Sequence, residues 1–169
     1  MEDTELNMSD EEILGLYPEV RLNHDNKDFY KGLTRRRYLV NRCGDCGTWH
    51  TPARYLCPAC WSTAVVPTPV SGRGKVAMFT VLHQGPAIQA KDLPGDIRAD
   101  YAVGYVLAGI ELEEQPFLRV SGRIVDMEPA AVAIGMPVEL GWVDGGGGLS
   151  VPIFRRMTNG RTEVLRNGQ

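Results

Sequence analysis

The sequence predicts a mainly β protein: short N-terminal helices, a rubredoxin-like zinc ribbon, then a five-stranded OB-fold barrel. Three observations carry this. Two Cys-x2-Cys pairs, Cys43/Cys46 and Cys57/Cys60, stand ten residues apart. Beyond Gly74, β-branched and aromatic residues recur in short runs between turn residues. Ahead of residue 37, the regular signals are two short amphipathic stretches. The chain divides accordingly into an acidic helical segment over 1–36, a zinc ribbon over 37–70, a barrel over 71–157 and a frayed tail over 158–169.

Ser9-Asp10-Glu11-Glu12 fits a capping box, in which Ser9 accepts from an early amide and Glu12 reaches back. Pro18 ends that helix within about two turns. Asp25 is the candidate N-cap of a second helix, with Phe29, Tyr30 and Leu33 at helical spacing. Gly32 weakens this helix, so it depends on packing. Two such helices make a poor domain and should lie across another surface.

Tyr38-Leu39-Val40 is strand-like and runs into the first cysteine pair. Thr48 to Thr51 returns as a strand and stops at Pro52, and Ala64-Val65-Val66 follows the second pair. Pro67, Pro69 and Gly72 then mark a boundary. Strands are expected over 76–82, 101–112 and 117–125, with the turn Glu113-Glu114-Gln115-Pro116 between the last two. A short connector over 128–134 leads to a strand over 138–143, a glycine tip at 145–148 and a return over 149–154. Five strands in about 80 residues fit an OB barrel, whereas a sandwich wants about seven. Residues 84–100 form a 17-residue connection, and connections of that length are usually functional or mobile.

The net charge of −3 conceals segregation. Residues 1–30 hold nine acids and two bases, residues 31–75 hold eight bases and one acid, and the remainder holds eight bases and eleven acids. A basic middle suits an anionic ligand, an acidic partner or the chain's own acidic start. No apolar run reaches the ~18 residues of a membrane span. The opening Met1-Glu2-Asp3-Thr4-Glu5 is acidic, unlike a secretory leader, so a cytoplasmic location is expected.

In a reducing compartment, these cysteines read as metal ligands rather than disulfides. Each pair places two thiolates on one tight turn, where Gly44 and Gly47 permit the backbone. Two pairs complete a sulfur tetrahedron. Zinc and iron both accept that shell, and nothing else in the chain suggests electron transfer, so one structural zinc is expected. Four thiolates leave no open coordination position, which excludes Lewis-acid chemistry at such a closed site. His50 is surplus to the count and reads as a strand or surface residue.

No nucleophile and base pair up. His24, His50 and His83 are the only histidines, and His83 beside the long connection finds no orienting acid in the sequence. There is no P-loop, no G-x-S-x-G and no H-E-x-x-H. Catalysis by this chain alone is not expected.

The order of motifs is informative: an acidic helical start, the paired cysteines, then Gly72-x-Gly74-x-Val76-x-x-x-Thr80. Tyr101-Ala102-Val103-Gly104-Tyr105-Val106-Leu107 and Val132-Ala133-Ile134-Gly135-Met136-Pro137-Val138-Glu139 follow. From about residue 25 to 157 this resembles the zinc-ribbon/OB-fold acyl-CoA-associated family, long catalogued as a domain of unknown function. The resemblance implies a non-catalytic subunit partnered with a thiolase-fold enzyme, such as a thiolase, an acyltransferase or a side-chain aldolase. That enzyme would supply the catalysis, and a coenzyme A ester would arrive through it.

Candidate ligand- or partner-facing residues are Arg35, Arg36, Arg37, Arg54, Phe79, Leu93 and Ile97. The rival reading is a single-stranded nucleic-acid binder using Trp49, Tyr55, Phe79 and Tyr105 as stacking rings. The acidic balance beyond residue 76 speaks against it, because the groove should be positive. An independent acyl-CoA carrier is a third reading.

Overall fold

A computed structural model describes residues 8–18, 20–82, 105–146 and 148–157. The expected 84–100 connection, with Leu93 and Ile97, lies outside these residues, as do His83, Tyr101 to Gly104 and the 158–169 tail.

Helix α1 spans Asp10–Leu16. Its capping box forms as the sequence predicts: the Glu12 amide donates to Ser9 Oγ at 3.2 Å, and the Ser9 amide donates to the Glu12 carboxylate at 2.7 Å. Helix α2 spans Lys27–Thr34, and its N-cap is Asn26 rather than the expected Asp25. Asn23 Oδ1 accepts from the amides of Asp25 and Asn26, while Asn26 Oδ1 accepts from the Asn23 amide. This side-chain turn sets the start of the helix one residue late.

The ribbon is a three-stranded sheet ordered β2-β1-β3, from Leu39–Cys43 (β1), Trp49–His50 (β2) and Val65–Pro69 (β3). Pro67 and Pro69, expected to break the chain, lie inside β3. Proline is tolerated there because β3 is an edge strand with one side free of ladder bonds.

The barrel is closed in the order β4-β5-β6-β8-β7. Its strands are Arg73–Leu82 (β4), Tyr105–Leu112 (β5), Arg119–Ile124 (β6), Pro137–Gly146 (β7) and Leu149–Arg156 (β8). A 3-10 turn over Pro129–Ala131 forms the connector between β6 and β7. Closure uses a parallel bridge between Ile124 and Phe154 and an antiparallel pairing of Arg73 to Lys75 with Pro137 to Glu139. Phe154, almost wholly buried, fills the interior. It fits because a Cβ at Gly122 would lie 2.4 Å from its ring.

One apolar core runs through all three parts. Leu33 of α2, together with Tyr38 and Val40 around β1, packs in the same cluster as Val76, Val106, Ile110, Val138 and Phe154 of the barrel. Gly32 permits this approach: a Cβ there would meet the Arg37 carbonyl at 2.6 Å and Leu39 Cγ at 2.8 Å. The helices therefore lie across the ribbon and barrel, and the Tyr17 hydroxyl reaches the Ser150 carbonyl at 3.5 Å.

Among the described residues, ion pairs of the basic middle run to the barrel rather than to the acidic start. Arg73 meets Glu113 at 2.6 Å and Lys75 meets Glu111 at 3.2 Å. No helix of the described residues is long and apolar enough to cross a membrane.

Candidate metal centre

The two knuckles are built alike. The Cys43 amide donates to the Thr48 carbonyl and the Gly47 amide back to the Cys43 carbonyl, at 2.9 and 3.0 Å. In the second, the Cys57 amide donates to Ser62 and the Trp61 amide to Cys57, at the same distances. Each turn needs a left-handed residue just after its second cysteine. Gly47 supplies it with φ +74°, and Trp61 supplies it with φ +62°. Gly44 serves differently from the expectation: its amide donates to the Ala64 carbonyl at 2.7 Å, and a Cβ would stand 3.2 Å from that oxygen.

These turns bring the four sulfurs within 4.8 Å of one another. Cys43 Sγ lies 3.6 Å from Cys60 Sγ, and Cys46 Sγ lies 3.6 Å from Cys57 Sγ. A tetrahedron with bonds of about 2.3 Å has edges of about 3.8 Å, so the spacing fits a single metal ion. Cys43 and Cys57 are buried, whereas Cys46 and Cys60 are exposed.

Without metal, the site is poised to ionise at one sulfur first. Hydrogen bonds from the side chain and backbone of Thr48 bring the Cys46 thiol down to about 6. Cys60 receives a favourable backbone hydrogen bond from Ser62, but the neighbouring sulfurs, led by Cys46, and burial push it up to about 12. A metal cation removes this competition by binding all four as thiolates.

The remaining candidates are not gathered into one site. Arg36 and Arg37 are exposed. Arg35 is part-buried, with one guanidinium nitrogen that lacks a partner among the described residues, in a groove shared with Glu12, Leu16 and Gly148. Arg54 is exposed and lines a different groove with His24, Asp28 and Thr63. Phe79 is 36% exposed on β4, opposite Ala108. Of the rival stacking rings, Trp49 lies under the Arg42 guanidinium at 5.6 Å and Tyr105 under that of Arg123 at 5.1 Å.

Comparison with known proteins now decides the family. The ribbon matches the model described as ChsH2, rubredoxin-like zinc ribbon domain, over residues 31–66. The barrel matches ChsH2, C-terminal OB-fold domain, over residues 67–143. A DUF35 domain-containing scaffold protein of Methanocaldococcus jannaschii is 41% identical over 112 residues, which cover 65% of this chain and 71% of that one. The chain belongs to the DUF35 family.

Two further proteins resemble this DUF35 chain. A Thermomonospora curvata protein named "Probable enoyl-CoA hydratase alpha subunit" is 31% identical over 140 residues, 83% of this chain. The DUF35 chain spans only 40% of that relative's length. A chain of the solved structure described as Ltp2-ChsH2(DUF35) aldolase superposes with a TM-score of 0.67 at 29% identity. The match covers 81% of this chain and 98% of that one.

Sequence reasoning missed the role of Trp61, and it read His50 as a strand or surface residue; His50 does lie in β2 but is buried. Trp61 is 73% exposed on a left-handed backbone, and glycine would suit that turn better. His50 is 7% exposed, and neither ring nitrogen has a hydrogen-bond partner of ordinary geometry among the described residues. Burial lowers its pKa, the Pro52 carbonyl acts against that, and the Arg54 charge adds to it. No local sequence signal marks the left-handed backbone of Trp61 or the burial of His50.

Proposed function

We propose that this chain is a non-catalytic, zinc-binding subunit that associates with a thiolase-fold enzyme acting on acyl-CoA substrates, and that it supports that enzyme's stability and activity. The observation that carries the reading is the likeness, over nearly the whole of the other chain, to the DUF35 component of an Ltp2-ChsH2 aldolase. The closed sulfur shell agrees with it, since four cysteines fill a tetrahedral ion and leave it structural. The ion is zinc, and the working units are a ribbon over 37–70 and a barrel over 71–157. The coenzyme A ester reaches the complex through the enzyme.

Capture of the tagged chain at low salt from the cells that make it, after nuclease treatment, tests this. A thiolase-fold protein identified by mass spectrometry in stoichiometric amount supports the reading. Nucleic acid that survives in proportion to the chain, with no such protein, overturns it in favour of single-strand binding.

A further inference from the structure

Between the N-terminal turn of α2 and the ribbon lies a cavity of about 200 Å³. That is roughly seven water volumes at about 30 Å³ each, so it has room for a small organic group. Asp25, Asp28, Phe29, Tyr38, Asn41 and His50 help to line it. It lies apart from the four cysteines, and the acyl-CoA reading makes no use of it.

The charged groups that line this cavity, Asp25 and Asp28, are acceptors. His50 is buried and neutral at physiological pH, and neither nitrogen has a partner of ordinary geometry among the described residues. A neutral imidazole offers one N–H and one lone pair; the Pro52 backbone acts on the ring, and the lone pair meets no donor of ordinary geometry among the described residues. Asn41 gives one of its two amide N–H groups to the Arg54 carbonyl at 3.0 Å, and its Oδ1 remains an acceptor. The Asp25 and Asp28 carboxylates add two negative charges, and Arg54 lies close enough for its charge to act on His50. The rest of the wall is aromatic: the Phe29 and Tyr38 rings meet edge to face with centroids 5.2 Å apart.

An idle, buried imidazole nitrogen is costly, so a ligand that donates to it is favoured over an empty site. Two carboxylates against one guanidinium select a cation, and the aromatic wall favours a flat one. We propose that this cavity is a binding site for a small planar cation of the amidinium or guanidinium class. The ligand donates to His50 and Asn41, pairs with Asp28 and rests against the Phe29 and Tyr38 rings. The same chemistry rejects carboxylates and phosphates.

Benzamidinium is the probe, titrated into the full metal-loaded chain while the His50 ring is followed by nitrogen-15 NMR. Benzoate, of the same shape and opposite charge, is the paired control. A saturable shift with benzamidinium is expected, with benzoate at least about tenfold weaker. Asp28→Asn should weaken benzamidinium about tenfold, and Asp25→Asn serves if the first variant fails to fold. Benzoate binding as tightly as benzamidinium, affinity unchanged in the carboxamide variants, or no saturable change at His50 would each overturn the assignment.

Discussion

Trp49 and Gln115 exchange two hydrogen bonds: the Trp49 amide donates to Gln115 Oε1 at 2.9 Å, and Gln115 Nε2 donates to the Trp49 carbonyl at 3.1 Å. The side-chain amide occupies the free edge of β2 as a neighbouring strand would, and it ties the β5–β6 turn of the barrel to the ribbon. Gln115→Ala leaves both backbone groups of Trp49 unpaired in a part-buried setting. The expected cost is about 1–3 kcal/mol, measured as a lower melting temperature, with faster amide exchange at Trp49.

Gly32→Ala reverses the usual helix rule. In an exposed helix interior that change stabilises by about 1 kcal/mol. Here the added methyl would press on the Arg37 carbonyl and the Leu39 side chain. Overpacking of this kind costs about 1–3 kcal/mol, so chemical denaturation should show a loss of stability.

These two residues mark the limit of what the sequence displays. The alternation of Val106, Ala108, Ile110 and Leu112 is local, and it makes β5 legible before any contact is known. The four cysteines are legible because their spacing is itself the chemistry. Gln115 is an ordinary turn residue until it meets Trp49, 66 positions away. Gly32 looks like a helix defect until β1 arrives against it. The prolines of β3 look like a linker until the strand proves to be an edge. The Asn26 cap depends on a side-chain turn from Asn23 that competes with the more obvious Asp25.

His50 gives the fold a sensitivity to acid. Its pKa in the folded chain lies below the ordinary 6.5, so the unfolded chain binds the proton more readily. The stability associated with its neutral ring is fully present above pH ~6.5 and is lost as pH falls through the lower folded value. Asp25 and Asp28 line the same cavity, and the Arg54 charge acts on the ring from nearby. His50→Gln should flatten the decline in melting temperature as pH falls below about 6.5. An unchanged slope would assign that decline to other groups.

Cys43→Ser or Cys60→Ser should abolish stoichiometric zinc, read by elemental analysis of protein purified without chelator. Loss of metal frees the two knuckles, because the ribbon has little apolar core of its own. Tyr38 and Val40 belong to the core shared with the barrel. Amide protection should therefore collapse around the second cysteine pair, while Val106, Ile110 and Val138 keep much of theirs.

The most direct test of the central claim is acyl-CoA turnover by the purified thiolase-fold partner, measured with and without one equivalent of this chain, beside the chain alone. The account predicts no turnover by the chain alone. It also predicts a co-eluting complex in which the enzyme gains activity and melts at a higher temperature. Turnover by the chain alone that survives further purification would contradict it. So would an enzyme whose activity and melting are the same with the chain as without it.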